Sequence, residues 1–127
     1  MAIKFKVIER GQPGVVGGGQ KKFYASTKIS GEMTLDKLTK SIEKVSTVSG
    51  ADIRAVLYAM VDVMKTTLDE GKVVRLGDLG SLRVNISSEG EDEAKKVTAR
   101  SIKGAKTVFT PGAELKHMLK NLKYEKA

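Results

Sequence analysis

Residues 53–68 constrain this chain more than any other segment. Ile53, Val56, Leu57, Met60, Val61, Met64 and Leu68 recur at the three- and four-residue spacing of a helix. Their apolar face is broader than one neighbouring helix requires. Ser49-Gly-Ala-Asp52 has the S-x-x-D form of a capping box that opens the helix, and Gly71 behind Asp69-Glu70 stops it. Such a face either packs into the chain's own core or takes a partner chain on its far side. A length of 127 residues is that of one ordinary domain, long enough to bury a core without staples.

The segments around this helix have distinct signatures. Residues 3–8 alternate, placing Ile3, Phe5 and Val7 on one face of a strand and lysines on the other; residues 22–29 read as its hairpin partner. Between them, Gly11 to Gly19 is too rich in glycine for a helix or a regular strand. Leu35, Leu38, Ile42, Val45 and Val48 predict a helix over 34–48 with Thr34 as its N-cap. Residues 72–76, 81–86 and 97–103 have strand composition, and Val108-Phe109 is a short apolar pair. Thr110-Pro111-Gly112 opens a last helix with Leu115, Met118, Leu119 and Leu122 on its apolar face.

Charge is polarised along the chain. The net charge is +8, with +5 on residues 1–31, −4 on residues 32–94 and +7 on residues 95–127. Two basic ends flanking an acidic middle attract polyanions, although a lysine-rich surface also serves solubility alone. Catalytic and metal chemistry finds few residues to use. The absence of cysteine removes disulfides, thiolate metal sites and thiol nucleophiles, and a lone His117 cannot build a multi-histidine cage. The glycine cluster approaches a phosphate-loop pattern, but Gln20 stands where that motif needs lysine, and a strand follows where it needs a helix. Glu89, Glu91, Asp92 and Glu93 lack the spacing of a calcium loop. The expectation is a protein that is not an enzyme and takes no cofactor or small-molecule substrate. No membrane span or export signal is visible, which predicts a cytoplasmic location.

Two segments carry a family resemblance. Gly71-Lys-Val-Val-Arg-Leu-Gly77-Asp-Leu-Gly80-Ser-Leu-Arg-Val84 is similar to a G-x-x-[VI]-x-[LI]-x-x-[FL]-G-[ST]-[FL] strand-turn-strand, and Phe109-Thr-Pro111-Gly112-Ala-Glu-Leu-Lys116 to an F-x-P-G-x-x-L-[KR] turn. With their separation and the order of elements from Thr34 onward, the chain resembles the bacterial histone-like HU and integration host factor family. It looks closest to the branch with an N-terminal extension, through Pro13-Gly14-Val15 and the glycine triplet.

The resemblance implies an α+β fold: two helices, a three-stranded antiparallel sheet with a β-arm at about 85–104, and a short C-terminal helix, in an intertwined homodimer. Residues 1–31 form a β-rich basic extension and residues 32–127 the DNA-binding domain. It implies largely sequence-independent binding of double-stranded DNA, through backbone and minor groove, by a nucleoid-associated protein. The DNA-binding residues it implies are Arg75, Gly80, Ser81, Arg83, Lys95, Lys96, Arg100, Lys103, Lys106, Gly112, Lys116 and Lys120. The N-terminus of the last helix at Pro111-Gly112 is expected to offer N–H donors to a phosphate. The chain departs from the family pattern at the arm, which has no proline to wedge between base steps and an acidic tip. Thr110 and Ala113 also replace frequent lysines. A homo-oligomeric interaction or scaffold domain on the same fold is the alternative.

Overall fold

The computed structural model describes residues 1–12 and 14–127; of the glycine-rich loop, Pro13 lies outside the described residues. The class is α+β. In chain order the elements are β1 (Ile3–Arg10), β2 (Lys22–Thr27), α1 (Leu35–Val45), α2 (Gly50–Asp69), β3 (Val74–Arg75), β4 (Gly80–Ser88), β5 (Ile102–Pro111), α3 (Ala113–Lys120) and β6 (Tyr124–Lys126). They fall into two compact units, one of Met1–Thr34 with Met118–Ala127, the other of Leu35–His117.

The first unit is a three-stranded sheet in the order β2-β1-β6. β1 and β2 form the expected antiparallel hairpin, with Phe5 opposite Thr27 and Arg10 opposite Lys22. β6 has no counterpart in the sequence reading, which ends on a helix. It pairs in parallel with β1, Ile3 beside Tyr124 and Phe5 beside Lys126. Three residues carry too little periodicity to be seen alone, and only the pairing defines them.

In the second unit, Ser49 caps α2 as the sequence predicts, its side chain accepting from the Asp52 N–H. Asp36 on α1 and Arg54 on α2 form an ion pair. The apolar stripes are only partly covered. Ile53 is buried, and Leu57, Met64 and Leu68 beside it are half-buried. The adjacent stripe is open: Val56 is 63% exposed and Val63 65%. α1 also differs from its expected face. Thr39 is buried, its hydroxyl donating to the Leu35 carbonyl at 2.8 Å, whereas Val45 is 85% exposed.

The chain exposes 10,659 Å². Two separate compact bodies sharing its mass in proportion to these units would together expose only about 7,900 Å². A surplus of this size, with Ile53 the one buried hydrophobic residue among those described, is surface that one chain does not cover.

The second sheet runs β3-β4-β5, antiparallel throughout. Gly80 pairs with Pro111, and the register holds through Ser87 opposite Gly104, where a bulge leaves Lys103 as the extra residue. The strand expected over 97–103 is corrected here. Residues 94–96 and 99–101 are short 3₁₀ turns, and the strand runs from Ile102 to Pro111, absorbing Val108-Phe109. The physical cause is Ser101. Its hydroxyl oxygen accepts from the Thr98 N–H at 3.2 Å and donates to Glu91 Oε1 at 3.1 Å, and it is 3% exposed. Side-chain bonds to local backbone compete with the ladder and win at this position.

Candidate nucleic-acid interface

Strand alternation sorts the second sheet into two faces. Val74, Leu82, Val84, Ile86 and Phe109 share one; the register places Leu82 opposite both Val74 and Phe109. A cleft of about 560 Å³ lies between this face and α2, lined by Leu68, Val84 and Thr107 among others. The opposite face carries Arg75, Ser81, Arg83, Asn85 and Lys106.

Arg75 on β3 stands opposite Ser81 on β4, Arg83 lies two residues further along β4, and Asn85, two further again, faces Lys106 on β5. The three cations therefore step diagonally across three strands, at intervals of about 7 Å along β4. All three are exposed, and none has a carboxylate partner among the described ion pairs. Such a row has the charge and spacing to hold successive phosphates.

Two glycines fix the turns beside this row. Gly80 has φ +145° and is buried; a Cβ there would run into the Thr110 carbonyl oxygen and lie 2.8 Å from the Phe109 ring. At Gly112 a Cβ would meet the Asp78 carbonyl and come within 2.9 Å of the Gly77 oxygen. Gly80 of the first motif and Gly112 of the second are thus required by backbone approach. Of the N–H donors expected at the start of α3, that of Gly112 already has a partner, donating to the Leu79 carbonyl at 2.9 Å. The first turn of α3 also carries Glu114, whose carboxylate occupies the position that favours an anion.

The remaining predicted residues separate from the row. Lys95 and Lys96 lie in the turn Ala94–Lys96, and Arg100 in the turn Ala99–Ser101, all exposed. Lys95 is 3.6 Å from the Glu93 carboxylate, a solvent-exposed pair that weakens its field only slightly. Lys103 occupies the bulge. Lys116 is exposed on α3, and Lys120, the last residue of that helix, belongs to the first unit. Sequence reasoning missed the Ser101 latch, which also fixes the exposed Glu91 carboxylate against the turn. The Thr98-x-x-Ser101 spacing was the available signal.

A family model described as "HU domain fused to wHTH, Ig, or Glycine-rich motif" (HU-HIG) matches residues 1–126. Among solved structures, the chain is similar to one described as a "Putative bacterial DNA binding protein" from Bacteroides vulgatus ATCC 8482. The TM-score is 0.62 over 98% of this chain and 48% of that one, at 15% sequence identity. That likeness is one of fold, and the chain spans about half the length of that protein. No curated protein sequence matches the chain.

Proposed function

The chain belongs to the HU-HIG family of HU domains fused to further motifs, and from that premise we propose that it binds double-stranded DNA as a homodimer, largely without regard to sequence. In this reading it is not an enzyme, contacts the duplex backbone and minor groove, and helps organise the chromosome in the nucleoid. Among the described residues, no helix is long and apolar enough to cross a membrane. Residues 32–127 act as the DNA-binding domain and residues 1–31 as a basic extension, with β6 the piece of the former that pairs with the latter.

The observation that carries this reading is the diagonal of Arg75, Arg83 and Lys106. It lies on the sheet face turned away from Leu82 and Phe109, next to the small residues Gly80 and Ser81. Arg100 and Lys103 extend the positive surface toward the end of the arm. The open stripe of Val56 and Val63 supports the dimer, because burying it against a second copy removes surface that one chain leaves wet.

A salt titration of binding to short duplexes of unrelated sequence tests the proposal. Log affinity should fall steeply with log salt, by about 0.9 per phosphate neutralised. The triple variant R75E/R83E/K106E should lower affinity for every sequence and flatten the slope. Absence of binding at low salt would favour the scaffold reading, for which the specific observations are the occupied Gly112 N–H and Glu114 at the start of α3.

A further inference from the structure

The first unit holds a second concentration of positive charge that the reading above does not use. It contains nine basic side chains against Glu9, Glu32 and Glu125, a net +6 in 44 residues, most of the chain's +8. The register divides that charge between the faces of the sheet. Ile3, Phe5, Val7, Phe23 and Tyr124 lie on one face. Lys4, Lys6, Arg10, Lys22 and Lys28 lie on the other; the Lys28 N–H donates to the Lys4 carbonyl at 2.9 Å, extending the pairing one step past β2.

On the basic face, like charges stand directly opposite each other twice, Lys4 across from Lys28 and Arg10 across from Lys22. Directly opposed like charges destabilise a strand pair. Glu125 stands beside Lys4 on this face and offsets part of the first repulsion, although it forms none of the three described ion pairs, which all lie in the other unit; no carboxylate is registered beside Arg10 or Lys22. The Arg10 guanidinium sits 5.0 Å from the centroid of the Tyr24 ring, which holds it on this face. From Lys4 to Arg10 the strand runs for about 20 Å. A duplex presents on the order of 12 phosphates over that axial length.

The geometry points to the Lys4–Lys6–Arg10–Lys22–Lys28 face as a second binding surface for the phosphate backbone of duplex DNA. Charge complementarity carries this assignment: a polyanion with regular spacing relieves both cation pairs at once. The inference rests on the proposed function only in taking duplex DNA as the ligand, since it uses a different sheet. It makes the protein at least bivalent for DNA within one chain, so its avidity exceeds that of either face alone wherever both can engage.

The test compares three full-length variants by salt titration on duplex DNA: K4E/K6E/K28E, R83E/K106E, and the control K40E/K44E on α1. Loss of affinity in K4E/K6E/K28E, with a slope reduced by about 2.7 and an unchanged slope in K40E/K44E, is the expected result. An unchanged slope in K4E/K6E/K28E while R83E/K106E weakens binding would overturn the inference and leave the proposed function standing. The opposite pattern would support the inference and count against the β3-β4-β5 face. Lysine acetylation of the wild-type complex, read by mass spectrometry, removes any dependence on variant folding. Lys4, Lys6 and Lys28 should be protected by duplex DNA and Lys40 and Lys44 should not. Protection by single-stranded RNA but not by duplex would overturn the assignment.

Discussion

The double substitution V56D/V63D separates a monomer from a dimer by its cost. In one chain these valines are 63% and 65% exposed, and a carboxylate at either position would be nearly neutral, within about 0.5 kcal/mol. In a symmetric dimer that covers α2, each valine buries its open two-thirds, a contribution of about 1.3 kcal/mol per side chain. Two-fold symmetry repeats the loss in both chains, giving about 5 kcal/mol, or between three and four orders of magnitude in dissociation constant. Desolvating the new carboxylates adds to this. Sedimentation equilibrium across nanomolar to micromolar concentrations measures the change directly, beside a wild-type unfolding temperature that should rise with concentration. If V56D/V63D keeps the dimer mass and the wild-type unfolding temperature, the open stripe is not the interface and the reasoning fails.

Three further outcomes follow from particular contacts. Gly80→Ala should lower stability by about 3 kcal/mol or more in chemical unfolding, because its φ suits only glycine and its Cβ meets backbone at Thr110. Ser101→Ala should cost about 1–3 kcal/mol and raise amide hydrogen exchange over residues 89–101, since it strips the Thr98 N–H and the Glu91 carboxylate of their partner. Replacing Glu91, Asp92 and Glu93 with Arg-Asn-Pro should strengthen duplex binding and increase DNA bending, read by energy transfer between end-labelled dyes. An unchanged bend would show that the tip does not enter the groove.

What was legible in the sequence had strong local causes. α2 is readable because the Ser49–Asp52 cap and a long 3.6-residue period agree, and β1 because its alternation is clean over several residues. Gly80 and Gly112 were visible as motif positions, and the close backbone approach at each explains why. The tip of the arm was misread because Val97 and Ile102 give residues 97–103 a strand composition, while one buried hydroxyl decides the conformation. The Arg75–Arg83–Lys106 diagonal needs the register of three strands, and no spacing along the chain announces it. The availability of the Gly112 N–H was likewise a question of its partner, the Leu79 carbonyl 33 residues earlier.

The pairing of β6 with β1 ties the basic sheet to the folding history of the rest of the chain. Ile3 and Tyr124 are neighbours in space and 121 positions apart in sequence. Closing so long a loop from a disordered chain is entropically unfavourable, and each doubling of the open length adds about 0.6 kcal/mol. Folding of residues 35–117 first would replace most of that loop with fixed structure and leave only short connecting segments to order. The hairpin of β1 and β2 can form early from local contacts, but its third strand arrives only as a consequence of the helical unit's folding. Local opening of that unit is then transmitted by connectivity alone to an edge of the basic sheet. β6 is expected to be the first strand released and the last to return.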